Sequence, residues 1–119
     1  MIQRMPAISD ETCPACVVAG DYIFLAHHGG GLDKRDITHQ VRAILESIKN
    51  TLATADATLD DLVQINFYIR NIDDFDAGRE VFIAYFKNGF PARMTVVTDF
   101  LDEEIVCQID GIAYKPRCG

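Results

Sequence analysis

Two consecutive segments, one amphipathic and one alternating, constrain the fold more than any other part of this sequence. From Ile37 onward, apolar side chains recur with the spacing of one helix face, which predicts a long helix that ends near Ala57. The apolar residues of this face are Val41, Ile44, Leu45, Ile48 and Leu52. In residues 63–69 apolar and polar side chains alternate strictly, as in a strand with one buried face. A helix packed on a sheet is therefore expected.

The segment before this helix predicts a hairpin and a loop. Residues 17–26 are rich in β-branched and aromatic side chains on both sides of Gly20 and Asp21, a pair typical of a tight turn. Residues 27–36, "HHGGGLDKRD", contain three consecutive glycines followed by mixed charges, which predicts a loop. Two short strands joined by a turn should therefore precede the helix.

The segment after residue 69 predicts a second helix and two more strands. Asp73 or Asp74 is placed to cap the helix, and Gly89 and Pro91 are placed to end it. The aromatic stripe of this helix, expected to face the sheet, consists of Phe75, Phe82, Tyr85 and Phe86. Extended runs follow at residues 93–98 and 105–114, joined by the acidic turn "DFLDEE". The predicted fold is α+β with the order ββαβαββ.

One face of this sheet is left without a helix if both helices cover the other. The last strand nevertheless has apolar residues on both sides, because Ile105, Cys107 and Ile109 alternate with Val106 and Ile112. A monomer would expose the second apolar face, and exposed apolar patches larger than a few hundred Å² are uncommon. We therefore expect a symmetric oligomer that buries it.

Composition excludes several function classes. A chain of 119 residues is long enough for one hydrophobic core, so residues 1–119 are expected to form a single domain. The net charge of -7 and the scattered basic residues make a nucleic-acid partner unlikely. No apolar run is long enough for a membrane span, and the first residues contain no signal-peptide core, so a cytoplasmic protein without a membrane partner is expected.

The four cysteines, Cys13, Cys16, Cys107 and Cys118, allow more than one interpretation. Two disulfides are possible, but a core of this size needs no covalent staples, so reduced thiols are expected. The "CPAC" spacing fits a redox dithiol or half of a zinc site that His27 and His28 could complete. However, a strand rather than a helix follows it, and no second Cys-x-x-Cys is present. We expect no metal and no cofactor.

Arg93 is the most informative single residue, because it enters an otherwise uncharged strand-like run, "PARMTVV". In a strand, Arg93, Thr95 and Val97 share one face, and no acidic residue lies two positions from the arginine on that face. An unpaired guanidinium in a partly dry site is unfavourable, and its planar fork matches a carboxylate. A small carboxylic acid is a natural partner. Alternatively, Arg93 extends into solvent or pairs with a distant acidic residue.

The run "FPARMTVV" followed by "EIVCQIDGIA" resembles the C-terminal signature of the YjgF/Rid family, the reactive-intermediate deaminases also known as liver perchloric-acid-soluble proteins. The segments "GDYIFLA", "QVRAILESIKNTLATADATLDDLVQINFYI" and "DFDAGREVFIAYF" resemble other elements of that family. The resemblance implies a chorismate-mutase-like ββαβαββ fold, a homotrimer whose three sheets form a barrel, and ligand clefts between subunits.

The resemblance also implies a site, in which Arg93 holds the carboxylate of a 2-imino or enamino acid that is hydrolysed to a 2-keto acid and ammonia. Gln108 takes the place of the glutamate that organises water in the family's deaminases, and a glutamine cannot accept a proton from water. The other implied substrate-binding positions are Cys13 for an aromatic residue, Ala26 for a serine, Thr95 for a cysteine and Arg79 for an asparagine.

The leading hypothesis is therefore a Rid-like imine or enamine deaminase that binds a small carboxylate in an intersubunit cleft, with Arg93 and Gln108 as its catalytic residues. His27 or His28, at the rim of the cleft, could supply the acid–base group that Gln108 lacks. The alternative is a metabolite-binding or regulatory trimer without catalysis. An endoribonuclease is the least favoured class, because the chain is acidic.

Overall fold

The computed structural model describes residues 2–7 and 10–117, which form a six-stranded sheet and two α-helices. The strands are β1 (Ile2–Met5), β2 (Cys16–Ala19), β3 (Tyr22–His28), β4 (Leu62–Ile69), β5 (Ala92–Val97) and β6 (Cys107–Tyr114). The helices are α1 (Ile37–Thr54) and α2 (Phe75–Tyr85). Short 3-10 turns at Leu59–Asp61 and Ile72–Asp74 precede β4 and α2. The α+β class and the order of the seven predicted elements are confirmed.

The order of strands in the sheet is β1-β2-β3-β6-β4-β5. All neighbours are antiparallel except β4 and β5, which are parallel because α2 carries the chain back across the sheet between them. Strand β6 thus lies between the N-terminal hairpin and the β4–α2–β5 unit.

The helices cover one face of the sheet. Phe82 of α2 packs edge-on against Phe67 of β4, with ring centroids 4.9 Å apart, and α1 packs beside α2 against β3 and β6. Ile23, Phe67 and Ile109, from three adjacent strands, are completely buried beneath them. Cys16 and Cys107 are also buried in this core. Phe82 and Phe86 are also buried, whereas Phe75 and Tyr85 lie at the margin of the core.

The opposite face, which we call the open face, is not covered by a helix of residues 2–7 or 10–117. Its exposed apolar side chains are Ile2, Tyr22, Phe24, Met94 and Tyr114. At its centre Asp110 accepts hydrogen bonds from Nδ2 of Asn66 at 2.7 Å and from the hydroxyl of Tyr68 at 2.9 Å. The open face is therefore apolar toward its edges and polar, with paired groups, in the middle.

Strand β1 is absent from the sequence-based prediction. It pairs with β2 at the edge of the sheet, and Ile2, Gln3 and Arg4 are exposed. Its existence depends on backbone pairing rather than on burial of side chains, so a search for a buried face does not detect it. The observed order therefore begins with three strands rather than two.

Two predicted boundaries are wrong at the ends of elements. Helix α1 stops at Thr54 rather than near Ala57, because Asp56 takes a left-handed conformation with φ of 58°. The loop predicted for residues 27–36 begins at Gly29 in the structure, two residues later than predicted, since His27 and His28 belong to β3.

Two further details differ at α2 and β6. Asp74 is the residue before α2, but the capping hydrogen bond is made by Asn71, which accepts from the backbone N–H of Asp73. The last strand begins at Cys107, because Ile105 lies in a turn and donates its N–H to the carbonyl of Asp102.

The buried side chain of Gln40 on α1 fixes the segment that leads into β6. Its amide nitrogen donates to the carbonyls of Lys34 and Glu104, each at 2.8 Å, and its oxygen accepts from the N–H of Val106 at 2.9 Å. One side chain thus satisfies three backbone groups and sets the start of the strand that carries Gln108.

Within the part of the chain that the structure describes, no helix is long and apolar enough to cross a membrane.

Candidate functional site

Strand β5 places Arg93 on the helix-covered side of the sheet. Arg93 pairs in register with Ile65, and Thr95 pairs with Phe67. Directly opposed residues of neighbouring strands point to the same face, so Arg93, Thr95 and Val97 share a face, as the alternation predicted. Because β5 is the edge strand, this row of side chains borders α2 at the rim of the core.

The guanidinium of Arg93 rests on two aromatic rings. Its Cζ atom lies 5.2 Å from the ring centroid of Phe75 and 5.9 Å from that of Phe82, within the range of cation–π attraction. Its Nε atom donates to Oγ1 of Thr95 at 3.2 Å. Across residues 2–7 and 10–117, no carboxylate lies within 4.0 Å of Arg93 and its two terminal nitrogens make no hydrogen bond.

In the single chain, the site around Arg93 is open to solvent. Its side chain is exposed, so water can hydrate the guanidinium and an unpaired charge carries little penalty. The aromatic support under Arg93 was not predicted, although the stripe on α2 that supplies it was. The fold thus holds the guanidinium through Thr95 and two aromatic rings and leaves the edge with its two terminal nitrogens open to a ligand.

A cavity of about 470 Å³ lies beside this arginine. Thr95, Val97 and Phe75 form one part of its wall, and Ile69, Ile72, Asp73 and Asp76 form the rest. We call this the β5 cavity. Arg79, a predicted substrate-binding residue, lies on α2 one turn beyond Asp76, and its side chain is exposed.

A second cavity, of about 390 Å³, lies where β3 ends, and we call it the β3 cavity. It brings together three predicted positions, Cys13, Ala26 and His27. Its remaining lining consists of Pro6, Ala7, Asp10, Pro14, Ala15, His28, Gly29, Ser47 and Thr51. None of the residues that line it also lines the β5 cavity, so the described chain divides the predicted site into two groups.

Gln108 lies at the border between the open face and the β3 cavity. It is half-buried on β6, opposite Tyr68 and on the same face as Asp110, whereas Cys107 points into the core. Its Nε2 atom lies 4.0 Å from the point that a Cβ on Gly29 would occupy, and Gly29 lines the β3 cavity. Gln108 therefore belongs with Cys13, Ala26 and His27 rather than with Arg93.

The cysteines do not form a metal centre in the described part of the chain. Cys13, Cys16 and Cys107 are free thiols, and Cys118 lies outside the described residues. Burial raises the pKa of the Cys16 thiol, and it raises that of Cys107 to about 12, so both stay protonated at neutral pH. In residues 2–7 and 10–117 no three His, Cys, Asp or Glu side chains are grouped to hold a metal ion.

His28 is the feature of the site that sequence reasoning placed incorrectly. It is buried, its Nδ1 atom lies 2.7 Å from the carbonyl oxygen of Ala26, and its Nε2 atom lies 2.8 Å from Oγ1 of Thr51. Burial lowers the pKa of its imidazole, which therefore stays neutral at physiological pH. The double histidine in the sequence was the available signal, but it does not tell which of the two rings is buried.

Comparisons with known proteins agree with this fold. The chain matches the Endoribonuclease L-PSP family over residues 12–115. A RutC family protein of Pyrococcus horikoshii is 33% identical over 105 residues, which cover 83% of each chain. The 2-iminobutanoate/2-iminopropanoate deaminase of Dermatophagoides farinae is 30% identical over 76 residues, which cover 64% of this chain and 59% of the deaminase.

A solved structure shows the same architecture. A member of the yjgF family from Streptococcus pyogenes superposes with a TM-score of 0.89 at 26% identity, and the superposition covers 98% of both chains. With the match over residues 12–115 and the curated relatives, this likeness shows that the chain belongs to the Endoribonuclease L-PSP family, also called the YjgF/Rid family, and has its chorismate-mutase-like fold.

Proposed function

We propose that this protein binds the carboxylate of a small 2-imino, 2-keto or amino acid at Arg93 and hydrolyses 2-imino or enamino acids to 2-keto acids and ammonia. The observation that carries the proposal is the setting of the Arg93 guanidinium. Thr95 engages its Nε atom and Phe75 supports its face, so the edge formed by the two terminal nitrogens is left for a ligand. That edge matches the two oxygens of a carboxylate.

The reaction requires little from the protein once the carboxylate is held. Water adds to the electrophilic imine carbon, both of its protons move in turn to the nitrogen, and the C–N bond breaks to release ammonia and leave the 2-keto acid. A fixed carboxylate and a positioned water supply proximity, and Gln108 can hold the water by hydrogen bonds. The Dermatophagoides farinae relative, a 2-iminobutanoate/2-iminopropanoate deaminase, supports this substrate class.

A homotrimer would complete the site. Thr95, to which Arg93 donates a hydrogen bond, lines one cavity. Cys13, Ala26 and His27 line the other, and Gln108 lies close to Gly29 in its wall. We propose that the β5 cavity of one subunit faces the β3 cavity of the next, so that the carboxylate anchor and the water-holding group come from different chains. This arrangement would also cover part of the exposed Arg93 side chain and strengthen its pairing with a ligand.

Binding tests the anchor directly. Pyruvate, which is a stable 2-keto acid, should raise the melting temperature of the wild-type protein, because a ligand selective for the folded state stabilises it. Arg93→Ala should abolish this shift, and Arg93→Lys should lose most of it because an ammonium lacks the planar fork. Arg42→Ala removes an exposed arginine of α1 and is the matched control. Equal shifts in all variants would reject Arg93 as the anchor.

Catalysis tests the reaction. Keto-acid release from freshly generated 2-iminopropanoate should be accelerated by the wild type and not by Arg93→Ala. Gln108→Glu asks whether general-base assistance is missing from the wild type: if it is, the rate should rise on the order of 100-fold where the geometry permits. If the wild type is already fast and Gln108→Glu has no effect, a group other than residue 108 activates the water.

A non-catalytic metabolite-binding trimer is the second candidate, and the presence of Gln108 favours it. An amide cannot take a proton from water, so a chain that keeps Arg93 can bind a carboxylate without turning it over. Pyruvate binding without hydrolysis in the wild type, together with activity in Gln108→Glu, would establish this function. Cleavage of RNA, the activity in the family's name, is disfavoured by the net charge of -7 and is checked by incubation with single-stranded RNA.

A further inference from the structure

A bulge in β3 reverses the side chains of its last residues. Leu25 pairs with Gly111 and His28 pairs with Ile109, so three steps along β3 match two steps along β6. Strict alternation from Ile23 and Leu25 would bury His27 and expose His28. The structure shows the opposite, with His28 buried and His27 exposed. The bulge thus decides which histidine is available to a ligand.

The buried histidine has one chemically consistent tautomer. The carbonyl oxygen of Ala26 can only accept, so the Nδ1 atom of His28, 2.7 Å away, carries the proton. In a neutral ring Nε2 is then an acceptor, and the hydroxyl of Thr51 donates to it at 2.8 Å. These two bonds tie the backbone of the bulge to the last turn of α1.

The exposed histidine faces the β3 cavity. The titratable groups that line this cavity are Asp10, Cys13, His27 and His28. Helix α1 contributes the uncharged Ser47 and Thr51 to its wall, and the β6 partner of His28 is the uncharged Ile109. His27 is therefore the side chain in this wall whose ordinary chemistry suits proton transfer near neutral pH.

We propose that His28, held by Thr51, is a positioning residue that fixes the bulge and directs His27 into the β3 cavity as the acid–base group of imine hydrolysis. This inference rests on the proposed deaminase function. His27 accepts a proton from the water whose oxygen bonds to the imine carbon and passes it to the nitrogen. As the C–N bond of the adduct breaks, His27 takes the hydroxyl proton and gives it to the departing amine, so that ammonia and the 2-keto acid are formed. His27 thus supplies the proton transfer that the amide of Gln108 cannot.

The tautomer is measured without any assay of activity. In a long-range ¹H–¹⁵N spectrum, the His28 ring should show a protonated Nδ1 and an unprotonated, hydrogen-bonded Nε2 at neutral pH. Thr51→Val removes the hydroxyl while keeping the shape of the side chain, and it should shift the Nε2 resonance of His28. Thr51→Ser keeps the hydroxyl and should leave that resonance nearly unchanged. A proton on Nε2 overturns the inference.

The kinetic test separates positioning from catalysis. His27→Asn should lower kcat/KM for 2-iminopropanoate by about 100-fold or more and change the shape of the pH–rate profile. Thr51→Val should lower kcat by up to roughly 100-fold, because the His27 ring is no longer held in place, and should leave pyruvate affinity unchanged. Thr51→Ser should retain wild-type kinetics. His39→Gln, which changes a histidine paired with Asp33 away from the cavity, is the control.

The outcomes separate this inference from the function on which it rests. If Arg93-dependent hydrolysis is present but Thr51→Val and Thr51→Ser share one pH–rate profile, the positioning role is rejected and the deaminase function stands. If the wild type binds pyruvate through Arg93 without hydrolysing imines, the acid–base role of His27 is rejected. If pyruvate binding does not depend on Arg93, the proposed function itself fails. His28→Leu, should it fold, is expected to reproduce the defect of Thr51→Val.

Discussion

The two faces of the sheet are built differently. On the helix-covered face, Ile23, Phe67 and Ile109 are completely buried, and Gln40 satisfies the backbone groups that approach the core. On the open face, Phe24 remains 44% exposed and Met94 62% exposed. The covered face is thus complete within one chain, whereas the open face leaves apolar area in water.

The polar groups of the open face explain how it could be covered by another chain. Asp110 already accepts hydrogen bonds from Asn66 and Tyr68, so its carboxylate would not enter an interface unpaired. On a face that stays in solvent, a carboxylate needs no such protein partners, because water molecules donate the hydrogen bonds. The comparison suggests that one face stabilises the fold and the other is suited to assembly.

The largest expected difference between the faces concerns phenylalanine. Phe67→Ala should lower the free energy of unfolding by about 3–5 kcal/mol, because it leaves a cavity beneath Phe82. Phe24→Ala should leave the helical circular dichroism intact but reduce the oligomer fraction in light scattering. An unchanged mass for Phe24→Ala at micromolar concentration would contradict the assignment of the open face to assembly.

A smaller difference is expected for two glutamines. Gln40→Leu should lower the free energy of unfolding by about 2–3 kcal/mol, because the buried N–H of Val106 loses its acceptor. Gln64→Leu, an exposed position on the open face, should change it by about 0.5 kcal/mol or less. Urea denaturation of both variants measures the contrast, and equal losses would show that Gln40 has no special role.

The pH dependence of stability should report the buried histidine. Burial lowers the folded-state pKa of His28, so the unfolded chain binds more protons below an ordinary histidine pKa of about 6.5. Stability is therefore present above about pH 6.5 and falls as the pH decreases toward the lowered folded-state pKa. His28→Gln should flatten this part of the profile, and His39→Gln should not. A His28→Gln profile parallel to that of the wild type would contradict this account.

The smallest effect is expected from a single hydroxyl on the open face. Tyr68→Phe removes the 2.9 Å hydrogen bond to Asp110 and should lower the free energy of unfolding by about 0.5–1.5 kcal/mol. If the open face is buried in an oligomer, the same change should weaken assembly as well, since Asp110 would enter the interface with one donor fewer. Sedimentation of Tyr68→Phe over a concentration series measures this second effect.

Periodicity predicted the helices and strands that have one buried face and one exposed face. The face of α1 from Val41 to Leu52 and the alternation of β4 follow directly from burial, so both could be derived from the sequence. Strand β1 has three exposed residues in succession and is held by pairing with β2, which leaves no hydrophobic pattern. The bulge after Leu25 leaves no sequence pattern either, because one extra residue reverses which side chains are buried without changing the composition of the strand.

The candidate site was predictable only in part. The shared face of Arg93 and Thr95 follows from strand geometry, and family resemblance supplied the positions of Cys13, Ala26 and Gln108. The aromatic rings beneath Arg93 come from a helix that crosses back to β5, so their contact depends on tertiary packing. Whether Arg93 would be dry in the proposed trimer depends on a neighbouring chain, which no local pattern can report.

The position of β6 has a consequence for how the chain folds. It is the last of the described strands in sequence, yet it lies between β3 and β4 and supplies the hydrogen bonds that join the two halves of the sheet. Until it is added, β3 and β4 each present an unpaired edge that could pair with other chains. During synthesis the N-terminal segments must therefore wait for β6. Folding should be a late, cooperative event dominated by contacts between residues far apart in the sequence.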